Sequence, residues 1–272
     1  MSDQYKNTDA DARQGATTGQ EHRSVNRSLE RGLAIVRCFR PGVGSLTNAD
    51  IVERTNLPKA TVSRLARTLV EMGFLRRDRV SQAYRLSFSM LSLAHAVLLD
   101  CQIAHEAIPL MHDVGMKHHI NVGLSTVDHL DMVYLHVVHG DRSRLGRRME
   151  PGHRRVVETT AIGHAYLASL NHAERAAYVE QLHSRNSRNW RAVSTDIDAA
   201  LEQFDKKGYC TRIWHEDTES MAAPITFGDE TFVFNLSYSV KEFSRRKITL
   251  ELVPALADLQ KAVLQRMTVD DA

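Results

Sequence analysis

Basic and hydroxyl side chains recur between residues 58 and 72 in a pattern that suits contact with DNA. Apolar residues at helical spacing form one buried stripe: Val62, Leu65, Ala66, Leu69 and Val70. The stripe leaves six side chains facing outward: Lys59, Ala60, Thr61, Ser63, Arg64 and Arg67. An arginine can donate two hydrogen bonds to guanine O6 and N7, and hydroxyl groups can contact phosphate or a base. We therefore expect Arg64 to contact bases and Arg67 to contact phosphate.

A second group of arginines follows in a predicted hairpin, with strands at 74–77 and 83–86 around a polar turn at 78–82. Its four candidate DNA contacts are Arg76, Arg77, Arg79 and Arg85. They would lie beside the DNA backbone or enter the minor groove. The alternative for Arg64 and Arg67 is that they only face solvent, which for an isolated basic helix is about as common as DNA binding. The order of the surrounding elements decides between DNA binding and simple solvation.

The elements that would position these residues follow the order of a winged helix-turn-helix. A helix at 24–39 ends at Arg40-Pro-Gly-Val-Gly, a second begins at Thr47, and a third begins at Pro58 and stops at Gly73. The hairpin completes the module. Charge supports the assignment, because residues 1–87 hold 15 Lys and Arg against 9 Asp and Glu, whereas residues 88–272 hold 20 against 24.

Composition limits the class of protein. With 272 residues, 43% hydrophobic and 25% charged, the chain is typical of a globular protein of two domains, which excludes wholesale disorder. The longest nearly apolar stretch, 90–99, is far shorter than the ~20 residues of a membrane span. Residues 1–22 are polar and predict a disordered tail without a signal peptide. Three widely spaced cysteines argue against a disulfide framework, so we expect a cytoplasmic protein.

The pattern along the whole chain predicts an α+β fold. Its parts are a winged helix-turn-helix at 23–87, a linker helix at 88–107 and a mixed α/β domain at 108–268 with an antiparallel sheet. The predicted strands are 121–126, 132–138, 208–214, 222–226 and 231–238, with a Gly228-Asp229 turn between the last two. Helices are predicted at 161–170, after the capping box Asn171-x-x-Glu174, at 194–207 and at 248–267.

Catalytic and metal chemistry finds little support. No serine-hydrolase elbow, phosphate-binding loop or His-Glu-x-x-His pattern is present, so we expect no enzyme and no cofactor. His105, His112 and His119 recur every seven residues, but no further ligand pattern completes a site. We expect no metal.

Three motifs show a resemblance to a known family. Asn56-Leu-Pro-Lys-Ala-Thr-Val-Ser-Arg-Leu resembles G-L-P-x-x-T-x-x-R-L, Thr159-Thr-Ala-Ile-Gly-His-Ala resembles T-A-x-G-K-A, and Met221-Ala-Ala-Pro-Ile follows Gly208-Tyr. Through them residues 24–267 resemble the IclR family of bacterial transcriptional regulators. The resemblance implies a homodimer or homotetramer on a pseudo-palindromic double-stranded operator, with a small effector in a GAF/profilin-like C-terminal domain. Departures are Asn56 for a turn glycine, His164 for lysine, Val156 for proline and a segment 208–222 about two residues short.

An effector site is predicted at the start of the helix at 161–170, because unpaired N–H groups at a helix N-terminus suit a carboxylate. The resemblance carries the family's pocket over to Thr160, Ala161, Ile162 and Ser220. Trp214, Met221 and Tyr134 are candidate apolar walls. The alternative is that Thr160 only caps the helix.

The sequence therefore predicts a sequence-specific DNA-binding transcriptional regulator of a catabolic operon that responds to a small organic acid. Trp214 and Tyr134 make an aromatic acid one option. The sequence does not separate repression from activation, and we favour repression. Coupling between pocket and DNA-binding helices would pass through residues 90–107 and the oligomer. The alternative is an effector-independent architectural DNA-binding protein, which has no need of the second domain.

Overall fold

The computed structural model describes residues 26–140 and 149–270. The predicted tail at 1–22 and the first residues of the first predicted helix lie outside the described residues. Two modules follow one another along the chain, a small helical one with a hairpin and a larger one built on a six-stranded sheet.

The N-terminal module has the predicted order of three helices and a hairpin. Its elements are α1 (Arg27–Val36), α2 (Asn48–Thr55), α3 (Lys59–Glu71), β1 (Leu75–Arg77) and β2 (Tyr84–Leu86). Helix α1 is capped by the Asn26 side chain, and α2 by a capping box in which Thr47 and Asp50 exchange hydrogen bonds. One core of apolar side chains, including Ile35, Ile51, Val62, Ala66, Leu75 and Tyr84, holds the module together.

The turn between α2 and α3 depends on Asn56, which adopts the left-handed conformation with φ 53°. Asparagine tolerates this region better than most residues, so it replaces the glycine of the family pattern without loss of the turn. Pro58 then stands at the N-cap of α3. The sharp turn between the two helices is thus set by local sequence.

The predicted linker helix is divided in two. Helices α4 (Ser89–Asp100) and α5 (Gln102–His118) meet at Cys101, which has φ −86° and ψ 83° and so interrupts the helical backbone. The expectation of one continuous helix over 88–107 was wrong in this respect. The physical difference lies in burial: α5 packs against the sheet of the second module, while none of the residues of α4 is buried.

The second module continues with the strands β3 (Asn121–Asp128), β4 (Asp131–Val138) and β5 (Arg154–Val156), and then a 3-10 turn (Val157–Thr159). Helices α6 (Ala161–Ser169), α7 (His172–Arg185) and α8 (Trp190–Lys207) come next, with a 3-10 turn (Ser187–Asn189) before α8. Strands β6 (Cys210–His215), β7 (Thr218–Phe227) and β8 (Glu230–Ser239) complete the sheet. After the sheet come the helical turn α9 (Arg245–Lys247), a π-helical segment (Ile248–Leu252) and α10 (Val253–Asp270).

The six strands form one antiparallel sheet in the order β5-β4-β3-β8-β7-β6. Helices α5 and α10 cover one face, and α6 and α8 cover the other. The predicted antiparallel sheet and the Gly228-Asp229 turn are confirmed, since β7 pairs with β8 up to Phe227 and Glu230. The fold therefore is α+β.

Side-chain alternation in β7 and β8 separates the two faces. In β8, Phe232, Phe234 and Leu236 enter the core below α5 and α10, whereas Val233 enters the core below α6 and α8. Asn235 and Ser237 share the face of Val233, and both are buried. Polar residues thus replace apolar ones on one face of a buried strand, and that face carries the cavity described below.

Candidate functional site

Helix α3 exposes most of the side chains that the sequence assigned to DNA. Lys59, Ala60, Arg64 and Arg67 are exposed, while Val62 and Ala66 are buried. Arg64 and Arg67 have no salt bridge to a carboxylate within residues 26–140 and 149–270. The outward face of α3 is therefore cationic and available to a polyanion.

Thr61 and Ser63 are half-buried, and Ser63 has a partner within the protein. Its hydroxyl oxygen accepts a 2.8 Å hydrogen bond from Nδ2 of Asn48 at the start of α2. This bond joins the two helices of the helix-turn-helix. Ser63 therefore orients α3 in the structure, and its contact with DNA stays a prediction.

The four predicted arginines of the hairpin are all exposed: Arg76, Arg77, Arg79 and Arg85. The guanidinium of Arg76 lies 4.5 Å from the centre of the Phe88 ring, and that of Arg77 lies 5.6 Å from the centre of the Tyr84 ring. Arg76 and Arg85 are paired across the two strands. Together with Arg79 at the turn, these side chains extend the positive surface of α3.

A cavity of about 440 Å³ opens on the α6 face of the sheet, within the ~300–1,000 Å³ range of small-molecule sites. It lies between β4, β5, the first turn of α6 and the strands β6 to β8. Its described lining residues are Tyr134, Met149, Arg154, Arg155, Val156, Thr159, Thr160, Ala161, Ile162, Arg212, Ile213, Trp214, Ser220 and Ser237. Six of the seven predicted effector residues are among them.

Met221 is the exception, and its prediction as a cavity wall was wrong. It follows Ser220 directly in β7, so its side chain points to the opposite face of the sheet. There it is completely buried in the core formed with α5 and α10.

The first turn of α6 forms one end of the cavity. The Thr160 hydroxyl accepts a hydrogen bond from the Gly163 N–H at 3.3 Å and donates one to the Val156 carbonyl at 2.8 Å. Thr160 is therefore the helix cap as well as a cavity residue. The N–H groups of Ala161 and Ile162 lie in the first turn of the helix and therefore have no carbonyl acceptor within it. Both residues are buried and line the cavity. They present two backbone donors and the positive end of the helix dipole.

Three arginines line the cavity, and they differ in their partners. Arg154 is bound to Asp128 and Asp131, and Arg212 donates a 2.7 Å hydrogen bond to Asp196. Arg155 pairs with no carboxylate of the described chain; it contacts the Met149 sulfur and lies 5.6 Å from the centre of the Trp214 ring. Arg155 is thus the cation that can accept an anion from outside without giving up an ion pair.

The sheet supplies a polar floor beneath this charged end. The Asn235 amide donates hydrogen bonds to the hydroxyls of Ser220 and Ser237 at 3.3 and 3.1 Å. Its carbonyl oxygen is buried without a protein partner among the described residues. Burial raises the pKa of Tyr134 to about 12, so its hydroxyl keeps its proton. The floor therefore offers hydroxyl donors and acceptors to a bound molecule.

The residues missed by sequence reasoning lie mostly on short or edge elements. Arg154, Arg155 and Val156 belong to the three-residue strand β5, which is too short to show periodicity. Ser237 could have been found, because a serine interrupts the apolar pattern of β8 two residues after Asn235. Arg212 is brought to the cavity by pairing with Ser220 across β6 and β7.

Comparison with known proteins accounts for both modules. A family model described as the IclR helix-turn-helix domain matches residues 28–79, and one described as the bacterial transcriptional regulator IclR C-terminal domain matches residues 95–264. The chain belongs to the IclR family. It is accordingly a DNA-binding transcriptional regulator with a C-terminal effector domain, and not an enzyme.

Individual IclR relatives match over nearly the whole length. The HTH-type transcriptional regulator TsaQ1/TsaQ2 of Comamonas testosteroni is 28% identical over 262 residues, covering 94% of this chain and 92% of that protein. An IclR family regulator from Brucella abortus superposes with a TM-score of 0.82 at 33% identity, covering 92% and 96%. An IclR homologue from Microbacterium hydrocarbonoxydans, crystallised with 4-hydroxybenzoate, shares the fold with a TM-score of 0.62 at 18% identity, covering 87% and 97%.

The described residues provide neither a metal site nor a membrane-spanning helix. No three His, Cys, Asp or Glu side chains within residues 26–140 and 149–270 come together as a metal site. None of the helices over the same residues has the length and apolar character needed to span a bilayer.

Proposed function

We propose that this IclR regulator represses a catabolic operon in the cytoplasm and that a small organic acid, with an aromatic acid as the first candidate, changes its affinity for the operator. The observation that carries the effector class is the juxtaposition of Arg155 with the free N–H groups of Ala161 and Ile162 at one cavity. A carboxylate would receive hydrogen bonds from all three groups.

The rest of the cavity matches an aromatic body. Trp214, Tyr134 and Ile162 contribute apolar surface to its lining. An IclR homologue of the same fold has been crystallised with 4-hydroxybenzoate, a molecule with a carboxylate, a ring and a hydroxyl. The hydroxyls of Ser220 and Ser237, which also line the cavity, suit a second oxygen of such an acid.

The effector assignment is tested by calorimetric titration of benzoate, 4-hydroxybenzoate and matched primary amides into the purified protein. We expect acids to bind and amides to bind at least about tenfold more weakly, because a charge-assisted hydrogen bond is lost. Arg155→Gln should remove most of this preference. Arg191→Gln, an exposed position outside the cavity, is the matched control. Equal binding of acids and amides would contradict the carboxylate site.

The DNA assignment is tested by sequencing the genomic fragments that the purified protein retains. We expect one or a few palindromic intergenic sites beside genes for catabolic enzymes, with release of the fragments by the acid. Retention of all fragments alike would favour the architectural alternative, in which the second module has no regulatory ligand. Expression of the adjacent genes after deletion of the regulator then separates repression from activation. Repression requires that expression rises, and activation that it falls.

A second copy of the chain is the proposed partner of α4. Large apolar side chains of this helix are exposed, among them Leu91 at 70% and Val97 at 63%, and the neighbouring Phe88 is exposed at 74%. So much exposed apolar side chain on one helix favours an interface. Helix α4 carries no charged residue before Asp100, which suits pairing with an equally apolar copy of itself. We therefore expect a homodimer built through α4, or a homotetramer of such dimers.

A further inference from the structure

Ion pairs connect the winged-helix module to the wall of the cavity. Arg37 at the end of α1 lies 3.9 Å from an Asp128 carboxylate oxygen and 3.2 Å from the His129 ring nitrogen Nε2. Arg40, in the turn after α1, lies 3.8 Å from Oδ2 of Asp131. Both aspartates flank the turn between β3 and β4. The first helix of the DNA-binding module is therefore in contact with one hairpin of the effector domain.

The same two carboxylates are bound by Arg154, which lines the cavity. Its guanidinium donates to Asp128 at 2.6 Å and to Oδ2 of Asp131 at 3.1 Å, and it also reaches the Asp128 carbonyl at 3.0 Å. Arg154 and Arg40 thus both contact the same oxygen atom of Asp131, Oδ2. A cavity residue and a residue of the winged-helix module share a single anionic partner.

Burial makes this sharing asymmetric. The Asp131 side chain is 12% exposed and also accepts a 2.8 Å hydrogen bond from Arg185, which in turn pairs with the buried Glu158. Arg154 is held in place, whereas Arg40 is 55% exposed and can leave the site. The contact between the modules is therefore the weaker, adjustable part of the cluster.

We propose that Asp128 and Asp131 act as a shared counter-ion, so that an anion in the cavity strengthens the contact of the winged-helix module with the β3–β4 hairpin. An anion in the cavity that Arg154 lines offsets part of the positive charge that competes with Arg37 and Arg40 for the two carboxylates. The attraction that remains for these two arginines rises. The presence of an anion rests on the proposed function, but the counter-ion link itself does not.

The link is tested without any ligand by hydrogen exchange of the full-length protein, read at peptides spanning 37–43 and 128–131. Arg154→Gln removes the competing cation, so exchange at 37–43 should slow by about two- to fivefold, the range set by exposed ion pairs. The double variant Arg37→Gln and Arg40→Gln should accelerate exchange at 128–131 by a similar factor. Arg31→Gln, which changes an exposed arginine of α1 without a described acidic partner, is the control.

Two outcomes overturn the proposal. One is faster or unchanged exchange at 37–43 in Arg154→Gln while the β3–β4 hairpin remains folded. The other is unchanged exchange at 128–131 in the double variant. If Arg154→Gln loosens β3 itself, the double variant alone decides, because it leaves the cavity intact.

A final experiment adds benzoate as a probe. Where calorimetry shows binding, residues 37–43 must become more protected in the wild type and not in the double variant. Absence of benzoate binding contradicts the aromatic effector, and the ligand-free variants still decide the link.

Discussion

Replacing Gly163 by alanine tests whether the first turn of α6 is held against the 3-10 turn as tightly as the structure indicates. A Cβ atom at position 163 would lie 2.1 Å from the Val157 carbonyl oxygen and 2.4 Å from its Cα. Cβ atoms in proteins essentially never come within 3.0 Å of a non-bonded heavy atom, so the buried backbone of Val157 must shift. No flexible side chain is available to absorb the overlap.

The magnitude follows from two opposing effects. Alanine gains ~1 kcal/mol over glycine inside a helix, and overpacking against a rigid neighbour costs ~1–3 kcal/mol or more. Because the neighbour is backbone, we expect a cost at the upper end of this range, ~3 kcal/mol, so that Gly163→Ala destabilises the effector domain by ~2 kcal/mol net. For a domain of this size the melting temperature should fall by ~4–8 °C.

Gly32→Ala provides the matched control, since Gly32 also lies within a helix but a Cβ atom added there would meet nothing within 4 Å. There only the helix propensity acts, so the winged-helix module should be stabilised by ~1 kcal/mol. Thermal unfolding followed by calorimetry of the full chain checks both changes. A Gly163→Ala protein at least as stable as the wild type would refute the tight packing of α6. The acid affinity should also fall, because a shift of Val157 moves the Thr160 cap.

Three further predictions concern DNA contact, pH and assembly. Arg64→Ala should relax base preference by ~1–3 kcal/mol at one operator position, whereas Arg79→Ala should weaken binding to all DNA and lower the salt slope by about 1, both measured by fluorescence anisotropy over a salt series. Burial lowers the pKa of His164 below its usual value of ~6.5, so the folded state favours the neutral ring and stability should be lost as pH falls below ~6.5. Chemical unfolding between pH 8 and 5 should show a smaller loss for His164→Gln, which can still donate to the Glu158 carbonyl; an equal loss would mean that this histidine is not the titrating group. Leu91→Glu should convert the oligomer to monomers in analytical ultracentrifugation and reduce operator affinity, and an unchanged mass would place the interface elsewhere.

The winged-helix module could be predicted from the sequence because its signals are local. The stripe of Val62 and Ala66, the turn at Asn56 and the stop at Gly73 each depend on a few neighbouring residues. The β7–β8 hairpin was predictable for the same reason, since the Gly228-Asp229 turn joins two strands that pair with each other. The start of β7 was harder to place, and its first residues, Thr218 to Met221, were not predicted as strand.

The cavity was predicted only in part, because its residues come from five separate strands, the start of one helix and the segments between them. The α6 cap at Thr160 was found through its local pattern, but Arg155 stands on a strand of three residues that forms only by pairing with β4. Met221 was wrong as a cavity wall because residues 218–221 were not predicted as strand, so the alternation that separates it from Ser220 was not applied.

By itself the sequence determined the order of helices and strands in the winged-helix module, the exposed arginines of α3 and the family to which the chain belongs. Only the tertiary structure decided which arginine of the cavity lacks an acidic partner, where the predicted linker helix breaks, and that Asp131 lies between Arg154 and Arg40. The reason is physical: helix caps, turns and stripes are set within a few residues along the chain, whereas ion pairing is set by distances across the fold. Arg40 and Asp131 are 3.8 Å apart at their charged atoms although 91 positions separate them, and no local pattern encodes that approach.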